Sequence, residues 1–331
     1  MTEEFNVRQL CFGVVLAGAI VCGWPAVAVE PPVKRDEPTL PGAQLVDLRP
    51  KFEKGQRVGY VMKIRNNGEI GGVPGGDGKP TKTSTEQEIG FVMKVVDADR
   101  EKGATVEMVY ETIKFKGTTG LGEVDFDSTK PAKTPARKPD AIDELIGPEA
   151  IDKALRDMVG TTLTLTVDPS GKITSVKGGE KLGAGNLIGQ LTGVAPDPKS
   201  LGGLFGPITS RGGNGGQAKV GEKWSYTDTT DIGPLGSVKM TTEHQLRGVH
   251  GNLADVFFTG HIEPQSDGNG AASPLQLKDT VYKGQYVWDT KMGWLDKMTS
   301  EQRVTIDGKA QGLPGTSKME TAVTVERRKG K

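Results

Sequence analysis

The chain has 331 residues, and its 42 Lys and Arg residues balance 42 Asp and Glu residues, which gives a formal charge of zero at pH 7. This balance provides no electrostatic basis for binding nucleic acid or an acidic membrane surface. Both cysteines, Cys11 and Cys22, lie in one apolar segment near the N-terminus. A chain without that segment has no disulfide, no thiolate metal site and no cysteine nucleophile.

The apolar segment at residues 10–24 is followed by Pro25 and by Ala26-Val27-Ala28, which places small residues where signal peptidase recognises them. The segment is shorter than the roughly 20 residues that span a bilayer. We predict a signal peptide over residues 1–28, cleaved after Ala28, and an exported protein that is periplasmic or secreted. The acidic residues near the start are atypical of such a peptide. The alternatives are a lipoprotein cleaved before Cys22 and an uncleaved N-terminal anchor.

Residues 29–43 are rich in proline and charge, which predicts an extended leader. From residue 44 onward, apolar and polar side chains alternate at every second position, most regularly over residues 58–65, 238–247 and 318–326. This alternation is typical of antiparallel strands with one face in water. We therefore predict a mainly β fold of antiparallel curved sheets or partial barrels. The apolar phase switches near residues 111–112, which predicts a β-bulge there.

A short helix is predicted near residues 148–159, where Ile151, Leu155 and Met158 recur at helical spacing before Gly160. With this helix, residues 44–177 form a first β-rich half. Residues 178–217 are glycine-rich and predict a connector, and residues 218–327 form a second β-rich half. One or two short helices are expected in all.

The two halves repeat a coarse order of elements. Residues 55–60 and 221–226 both open a long strand with Gly and Tyr five positions apart. A later hairpin in each half places apolar residues two and five positions after a glycine, which is Gly171 in the first half and Gly293 in the second. Internal duplication is one interpretation. Chance similarity between antiparallel β segments is the other.

Residues 48–60 read Leu-Arg…Lys-Phe…Lys-Gly…Tyr, and residues 220–224 read Val-Gly-Glu-Lys-Trp. Together with the turn at 95–105, the acidic strand at 122–128 and the hairpin at 165–176, they resemble an uncharacterised family of exported bacterial β-rich proteins. The family contains a domain of unknown function, and the resemblance covers most of residues 45–327. It implies an exported β-rich protein and supplies no catalytic residue.

Candidate chemical sites are few. The acidic run at residues 97–101 lacks the glycine and glutamate of a calcium loop and favours a solvated turn. His244 lies on the apolar side of its strand, which is typical of a core histidine. If its strand pairs with the next one, His244 and His261 would come near each other as two ligands of a metal site. No nucleophile elbow is present. We predict no catalytic, metal-binding or cofactor-binding residue and no cofactor.

Aromatic side chains concentrate in the second half, where Trp224, Tyr226, Tyr286 and Trp288 are the residues predicted to face a ligand. Core packing is the alternative for them. The sequence thus favours an exported, non-enzymatic protein of unknown role that binds an apolar small molecule or an envelope partner on a sheet face. An extracytoplasmic hydrolase with a dispersed active site is the alternative function. No nucleic-acid partner and no membrane span after signal cleavage are expected.

Overall fold

The structure is a computed structural model, and it describes residues 45–70, 80–119, 122–132, 148–178, 216–231, 237–265, 276–307 and 316–329. The predicted signal peptide and leader, and the predicted connector except for residues 178, 216 and 217, lie outside the described residues. The domain limits drawn from the sequence therefore stay predictions.

Within the described residues the chain forms fourteen strands and one helix. The strands of the first half are β1 (Leu45–Asp47), β2 (Arg57–Ile70), β3 (Thr81–Asp99), β4 (Gly103–Thr119), β5 (Gly122–Asp127), β6 (Thr162–Val167) and β7 (Ile173–Lys177). The helix, α1, spans Pro148–Met158. The strands of the second half are β8 (Gln217–Lys219), β9 (Lys223–Asp231), β10 (Ser237–His250), β11 (Leu253–Gln265), β12 (Gln276–Asp289), β13 (Trp294–Asp307) and β14 (Thr316–Arg327).

Twelve strands belong to one antiparallel sheet with the order β7-β6-β4-β3-β2-β14-β13-β12-β11-β10-β9, and β5 pairs beside β4. The short strands β1 and β8 pair with each other. The two halves of the sequence meet where β14, the last strand, pairs with β2. The predicted mainly β, antiparallel fold with a short helix is confirmed. The predicted bulge is also present, because Glu111 is the unpaired residue between Tyr110 and Thr112 opposite β3.

The outer face of the sheet is wet and carries ion pairs between neighbouring strands. Examples are Arg65–Glu86 with Nε 2.8 Å from Oε1 and Lys114–Glu88 with Nζ 2.8 Å from Oε1. Exposed pairs of this kind contribute less than about 1 kcal/mol each. The inner face is dry and carries one large hydrophobic cluster to which both halves contribute. Each fully buried large side chain there contributes about 1.5–3 kcal/mol, so burial on this face is the main stabilising term.

Helix α1 packs its apolar side into the same cluster. Ile151, Leu155 and Met158 are buried at helical spacing, and Pro148 occupies the first helical position, where its missing N–H costs nothing. Arg156 Nε donates a hydrogen bond to Asp152 Oδ2 one turn earlier in the helix. Arg156 Cζ lies 5.0 Å from the ring centroid of Phe126 on β5. The helix therefore covers the inner face of the first half beside β4 and β5.

The turns that precede β2 and β9 share one hydrogen-bond pattern. In each turn a glycine N–H donates to a backbone carbonyl of the second strand that follows, which is β3 in the first half and β10 in the second. The residue that carries this carbonyl donates its own N–H to the carbonyl of the residue after the glycine. The side chain after the glycine also accepts a bond from the backbone N–H three residues earlier. The equivalent residues are Gly55 and Gly221, Gln56 and Glu222, Val95 and Leu246, and Glu53 and Lys219.

Two β-bulges recur at equivalent places. One residue is unpaired directly after Val95 in β3 and directly after Leu246 in β10. One residue is also unpaired in β7 opposite β6, and one in β13 opposite β12. Counting along the strands from these turns and bulges makes three further residues of the two halves equivalent. They are Val106 and Val256, Leu165 and Tyr286, and Val176 and Met298. The register thus agrees with internal duplication, one of the two interpretations of the sequence pattern, including the match of the Gly171 and Gly293 hairpins.

Candidate functional site: a polar row on the inner face

A row of paired residues crosses eight neighbouring strands of the sheet. From β3 to β9 it consists of Thr85, Asn66, Thr321, Gln302, Tyr282, Gly260, Thr242 and Tyr226. Residues directly opposite each other in antiparallel strands point to the same face. Ile64, Val323 and Phe258, two residues from this row on their strands, belong to the main hydrophobic cluster, so the row faces inward. We call these eight residues the inner polar row.

Apolar bands lie on both sides of the inner polar row. A second paired row lies four residues away along strands β3 to β10, toward the main cluster, and none of its residues is more than 1 % exposed. It is formed by Ile89, Met62, Val325, Met298, Tyr286, Val256 and Leu246. On the other side, Ile262, Val304 and Ile306 form a second buried cluster. The inner face is therefore banded, with a polar strip between two apolar regions.

Two buried polar atoms near the centre of this strip have no hydrogen-bond partner within the described chain, namely Asn66 Oδ1 and Ser300 Oγ. Asn66 Nδ2 donates to Thr85 Oγ1 at 3.2 Å. Ser300 is 2 % exposed and lies two residues before Gln302 on β13. Buried polar groups are nearly always paired in native proteins. We refer to Asn66, Ser300, Gln302 and Thr321, on three adjacent strands, as the polar patch.

Beside the polar patch, aromatic rings of the second half form a cluster around His244. The His244 ring stacks on Trp224 with centroids 5.6 Å apart and planes at 13°, and it lies 5.5 Å from Phe258 and 6.0 Å from Tyr286. Phe258 in turn lies 5.3 Å from Tyr282. Trp224 is half-buried, whereas the rings of Phe258 and Tyr286 are buried. The cluster thus extends from the core to the partly exposed strand β9.

The imidazole of His244 is held in its neutral form. Burial lowers the pKa of His244 to about 4 because the charged ring would lose its water. Its Nε2 lies 3.0 Å from Thr242 Oγ1, while Nδ1 is buried and unpaired among the described residues. A catalytic triad needs a carboxylate on that second nitrogen. The contact between His244 and Thr242 therefore gives no support to the alternative function, an extracytoplasmic hydrolase.

Two glycines allow aromatic rings to lie against the backbone. A Cβ added at Gly260 would collide with the ring of Tyr282, and one added at Gly284 would collide with Phe258 and with the carbonyl of Thr299. The absence of a side chain at Gly260 and Gly284 is thus a steric requirement of these two rings.

The first half has buried side chains where the second half has polar, partly exposed or missing ones. The equivalent pairs are Val58 and Trp224, Phe91 and Thr242, Met93 and His244, and Tyr110 and Gly260, all from the register of β2–β4 and β9–β11. All four first-half residues are at most 5 % exposed. Since bulky, mainly apolar residues satisfy the packing at these positions, the different residues of the second half indicate a specialised surface.

The structure places the four predicted ligand-facing aromatics on the inner face. Trp224 and Tyr226 are half-buried, and Tyr286 and Trp288 are 1 % exposed. The polar patch was missed by the sequence reasoning. Its signal was available, because polar residues occupy the apolar phase of β2, β13 and β14, but the pairing that unites them was not.

The two histidines considered as metal ligands are not brought together. Strands β10 and β11 do form a hairpin, yet His244 pairs with Phe258 while His261 pairs with Thr241. His261 is exposed and lies 3.3 Å from Glu263 on the outer face. The expectation that the hairpin would bring them close is wrong, because three positions along a strand place them on opposite faces. The part of the chain that the structure describes contains no group of three metal-ligating side chains.

Residues 101–188 match the profile of a family described as "Family of unknown function (DUF6263)". The predicted resemblance to an uncharacterised family with a domain of unknown function is confirmed. The match begins after residues 48–60, so the strand-start motif stays untested. No curated protein matches the chain. Across the described residues, no helix is both long and apolar enough to cross a membrane.

Two solved structures align at low similarity. DynF from the dynemicin biosynthesis pathway of Micromonospora chersina is 8 % identical, with coverage of 91 % of this chain and 94 % of that chain and a TM-score of 0.19. A BenF-like porin from Pseudomonas fluorescens Pf-5 is also 8 % identical, with coverage of 82 % and 83 % and a TM-score of 0.15. Scores this low carry no argument about fold or function.

Proposed function

We propose that the protein is an exported, non-enzymatic binding protein whose inner sheet face holds an amphipathic small molecule. The observation that carries this proposal is the polar patch, in which Asn66 Oδ1 and Ser300 Oγ are buried without a partner in the described chain. A buried polar atom without a hydrogen bond costs about 1–3 kcal/mol. A ligand that brings its polar group to the patch removes this cost and gains affinity from it.

The banding of the inner face fits an amphipathic molecule better than a purely apolar one. A polar group at the patch lies within one or two strands of the cluster of Ile262, Val304 and Ile306 on one side and of the main cluster on the other. The half-buried Tyr226 lies at the β9 end of the same row, and the half-buried Trp224 lies two residues away on the same strand and the same face. An aliphatic part that follows the face from the patch toward these rings would stay in contact with apolar or aromatic surface.

Native mass spectrometry of the protein purified from its own envelope fraction tests the binding function. We expect a bound species of a few hundred daltons that is released on unfolding. Ser300→Ala together with Gln302→Leu should remove it. The matched control is Thr299→Val, which changes a hydroxyl on the same strand that points to the opposite face and likewise has no partner in the described chain. Wild-type protein without any bound species, or loss in the control as well, would contradict the proposal.

Export is tested by the N-terminus of the purified protein. The small residues before position 29 support cleavage by signal peptidase, so the sequence should begin at Val29. A chain that keeps Met1 would indicate an uncleaved anchor or no export, and a lipidated N-terminal Cys22 would indicate a lipoprotein.

A further inference from the structure

The chemistry of the inner face restricts which polar group it can accept. Along the inner polar row, and along the two paired rows between it and the main core, the described residues carry no Asp, Glu, Lys or Arg. The one titratable imidazole, that of His244, is neutral above about pH 4. Arg303, Glu320 and Lys63, on the same strands, are paired on the outer face. Arg327 lies in the inward phase of β14, beyond these three rows, and is paired with Asp289 and Asp296.

An ion bound along these three rows would have no counter-charge among their described residues. Transfer of an unpaired carboxylate or ammonium group from water into an apolar environment is strongly unfavourable. An uncharged polar group loses much less on transfer, and it recovers the loss through hydrogen bonds with amides and hydroxyls. The face therefore discriminates against anionic and cationic amphiphiles.

The free atoms of the polar patch also require a donor from the ligand. Asn66 Oδ1 can only accept, because an amide oxygen has lone pairs and no hydrogen. Ser300 Oγ can donate and accept. A ligand hydroxyl satisfies both kinds of atom, whereas an ester or ether oxygen satisfies only the serine. Asn66 and Ser300 lie two strands apart, at about 4.8 Å per strand, and on neighbouring inward-facing rows, because Ser300 is paired through Val323 with Ile64 and not with Asn66. One hydroxyl therefore cannot serve both, and a ligand needs separate hydroxyl groups for the two contacts.

We infer that the ligand is a neutral, hydroxylated amphiphile, whose hydroxyl groups bind Asn66 and Ser300 and whose aliphatic part lies along the apolar bands. This inference rests on the proposed function and specifies the ligand class of the same site. It differs from a general affinity for apolar molecules, which would depend on chain length and not on the charge or donor capacity of the polar end.

Four probes with the same twelve-carbon acyl or alkyl chain separate these possibilities at pH 7.5. They are monolaurin, which is neutral with two hydroxyls, methyl laurate, which is neutral without a donor, laurate, which is anionic, and dodecylammonium, which is cationic. Binding to the full-length protein is measured by native mass spectrometry and by quenching of tryptophan fluorescence. We expect monolaurin to bind at least about tenfold more tightly than each of the other three, a difference of about 1.4 kcal/mol.

The variant Asn66→Leu tests the placement of the hydroxyl. It should reduce monolaurin affinity to the level of methyl laurate and leave methyl laurate unchanged. Asn67→Leu is its control, since Asn67 is the next residue on β2, is exposed and faces outward. Ser300→Ala provides a milder second variant, and circular dichroism establishes that each variant is folded.

The outcomes distinguish the inference from the function on which it rests. Laurate or dodecylammonium binding as tightly as monolaurin would overturn the neutral, hydroxylated ligand and leave a binding protein in place. An unchanged monolaurin affinity in folded Asn66→Leu and Ser300→Ala variants would overturn the assigned contacts. Failure of all four probes to bind the wild-type protein, with no co-purified species, would overturn the proposed function itself.

Discussion

Under the proposed function, Ser300 is a side chain better suited to the ligand-bound state than to the folded chain alone. Its hydroxyl is buried, faces the dry side of the sheet, and finds no acceptor or donor within the described residues. Residues selected only for packing at such a position are usually apolar, as its cross-strand neighbour Val323 is. A serine there is therefore expected to lower stability without ligand and to raise affinity with it.

We expect Ser300→Ala to leave the free energy of unfolding of ligand-free protein unchanged or to raise it by up to about 2 kcal/mol, because an unsatisfied buried hydroxyl is removed. Urea unfolding monitored by circular dichroism measures the change. Ser317→Ala, also a buried serine on the same face but absent from the polar patch, is the comparison. A loss of more than about 1 kcal/mol in Ser300→Ala would mean that the hydroxyl is hydrogen-bonded in the folded state.

His244 predicts a pH dependence of stability. Its folded pKa of about 4 lies below the ordinary value of 6.5, so between these values the unfolded chain binds a proton that the folded chain does not. The contribution of His244 is then fully present above about pH 6.5 and is lost progressively as the pH falls to 4. The total is on the order of 3 kcal/mol. Unfolding free energies measured at pH 7.5 and pH 4.5 should differ accordingly.

The control for this pH effect is the exposed histidine of the next strand. His244→Phe should remove most of the change in unfolding free energy between pH 7.5 and pH 4.5, since a phenylalanine fills the aromatic cluster without titrating. His261→Gln should leave the change as in the wild type, because His261 lies on the wet outer face. If both variants keep the full pH dependence, carboxylates and not His244 are its source.

At the scale of single elements, the turn that the two halves share is the most specific feature. Gly55 and Gly221 have φ angles of 86° and 87°, and a Cβ added at either one would meet no atom within 4 Å. Alanine at these positions therefore costs only the left-handed backbone conformation. Gly103 also has a positive φ, but an added Cβ would collide with the carbonyl of Val167, so its substitution adds a steric cost.

We expect Gly55→Ala and Gly221→Ala to lower the free energy of unfolding by about 1–2 kcal/mol each, and by the same amount within error, because the left-handed conformation sets the cost in both. Gly103→Ala should lower it by clearly more. Urea unfolding of the three variants measures these values. Unequal losses at Gly55 and Gly221 would show that the two turns differ energetically despite their shared hydrogen bonds.

The elements with strong local patterns were predictable from sequence. The alternation over residues 58–65 marks β2 because one face is dry and the other is wet, and the helical spacing of Ile151, Leu155 and Met158 marks α1. The phase switch near residue 111 marks a bulge because an extra residue turns the following side chains over. Each of these signals lies within about a dozen residues, because the pattern depends on which face is buried and not on which distant residues bury it.

The candidate site was not predictable in the same way. Asn66, Gln302 and Thr321 fall in the apolar phase of their strands, which marks each as unusual. Their assembly into one patch depends on β14 pairing with both β13 and β2, and β2 is about 250 residues away in sequence. Nothing in the local pattern of either strand specifies that partner. The aromatic residues were found because composition alone concentrates them in the second half.

For the whole molecule, the decisive feature is that the two halves share one sheet and one main hydrophobic cluster. Strand β14 of the second half pairs along its length with β2 of the first half. Tyr60 Oη donates to Leu295 O at 3.0 Å, and Phe52 contacts Trp294 edge-on with centroids 5.5 Å apart. Separation of the halves would expose these contacts and the long edges of β2 and β14, so we expect the halves to unfold together.

Equivalent core positions in the two halves test this expectation. Val106 on β4 and Val256 on β11 are aligned by the bulges, and both are at most 1 % exposed, so Val→Ala at either one should cost about 2 kcal/mol. Three of the four tryptophans, Trp224, Trp288 and Trp294, lie in the second half, and the fourth lies in the predicted signal peptide. Tryptophan fluorescence therefore reports on the second half, whereas far-ultraviolet circular dichroism reports on the whole sheet.

In a cooperative molecule, Val106→Ala shifts the urea midpoint measured by fluorescence as far as the midpoint measured by circular dichroism, although every reporting tryptophan is in the other half. Val256→Ala should shift both midpoints by a similar amount, since the two valines occupy equivalent sites in one cluster. A biphasic circular dichroism curve for Val106→Ala, with an unshifted fluorescence transition, would show that the halves fold independently. The shared β2–β14 pairing would then be a contact between two domains and not part of one cooperative sheet.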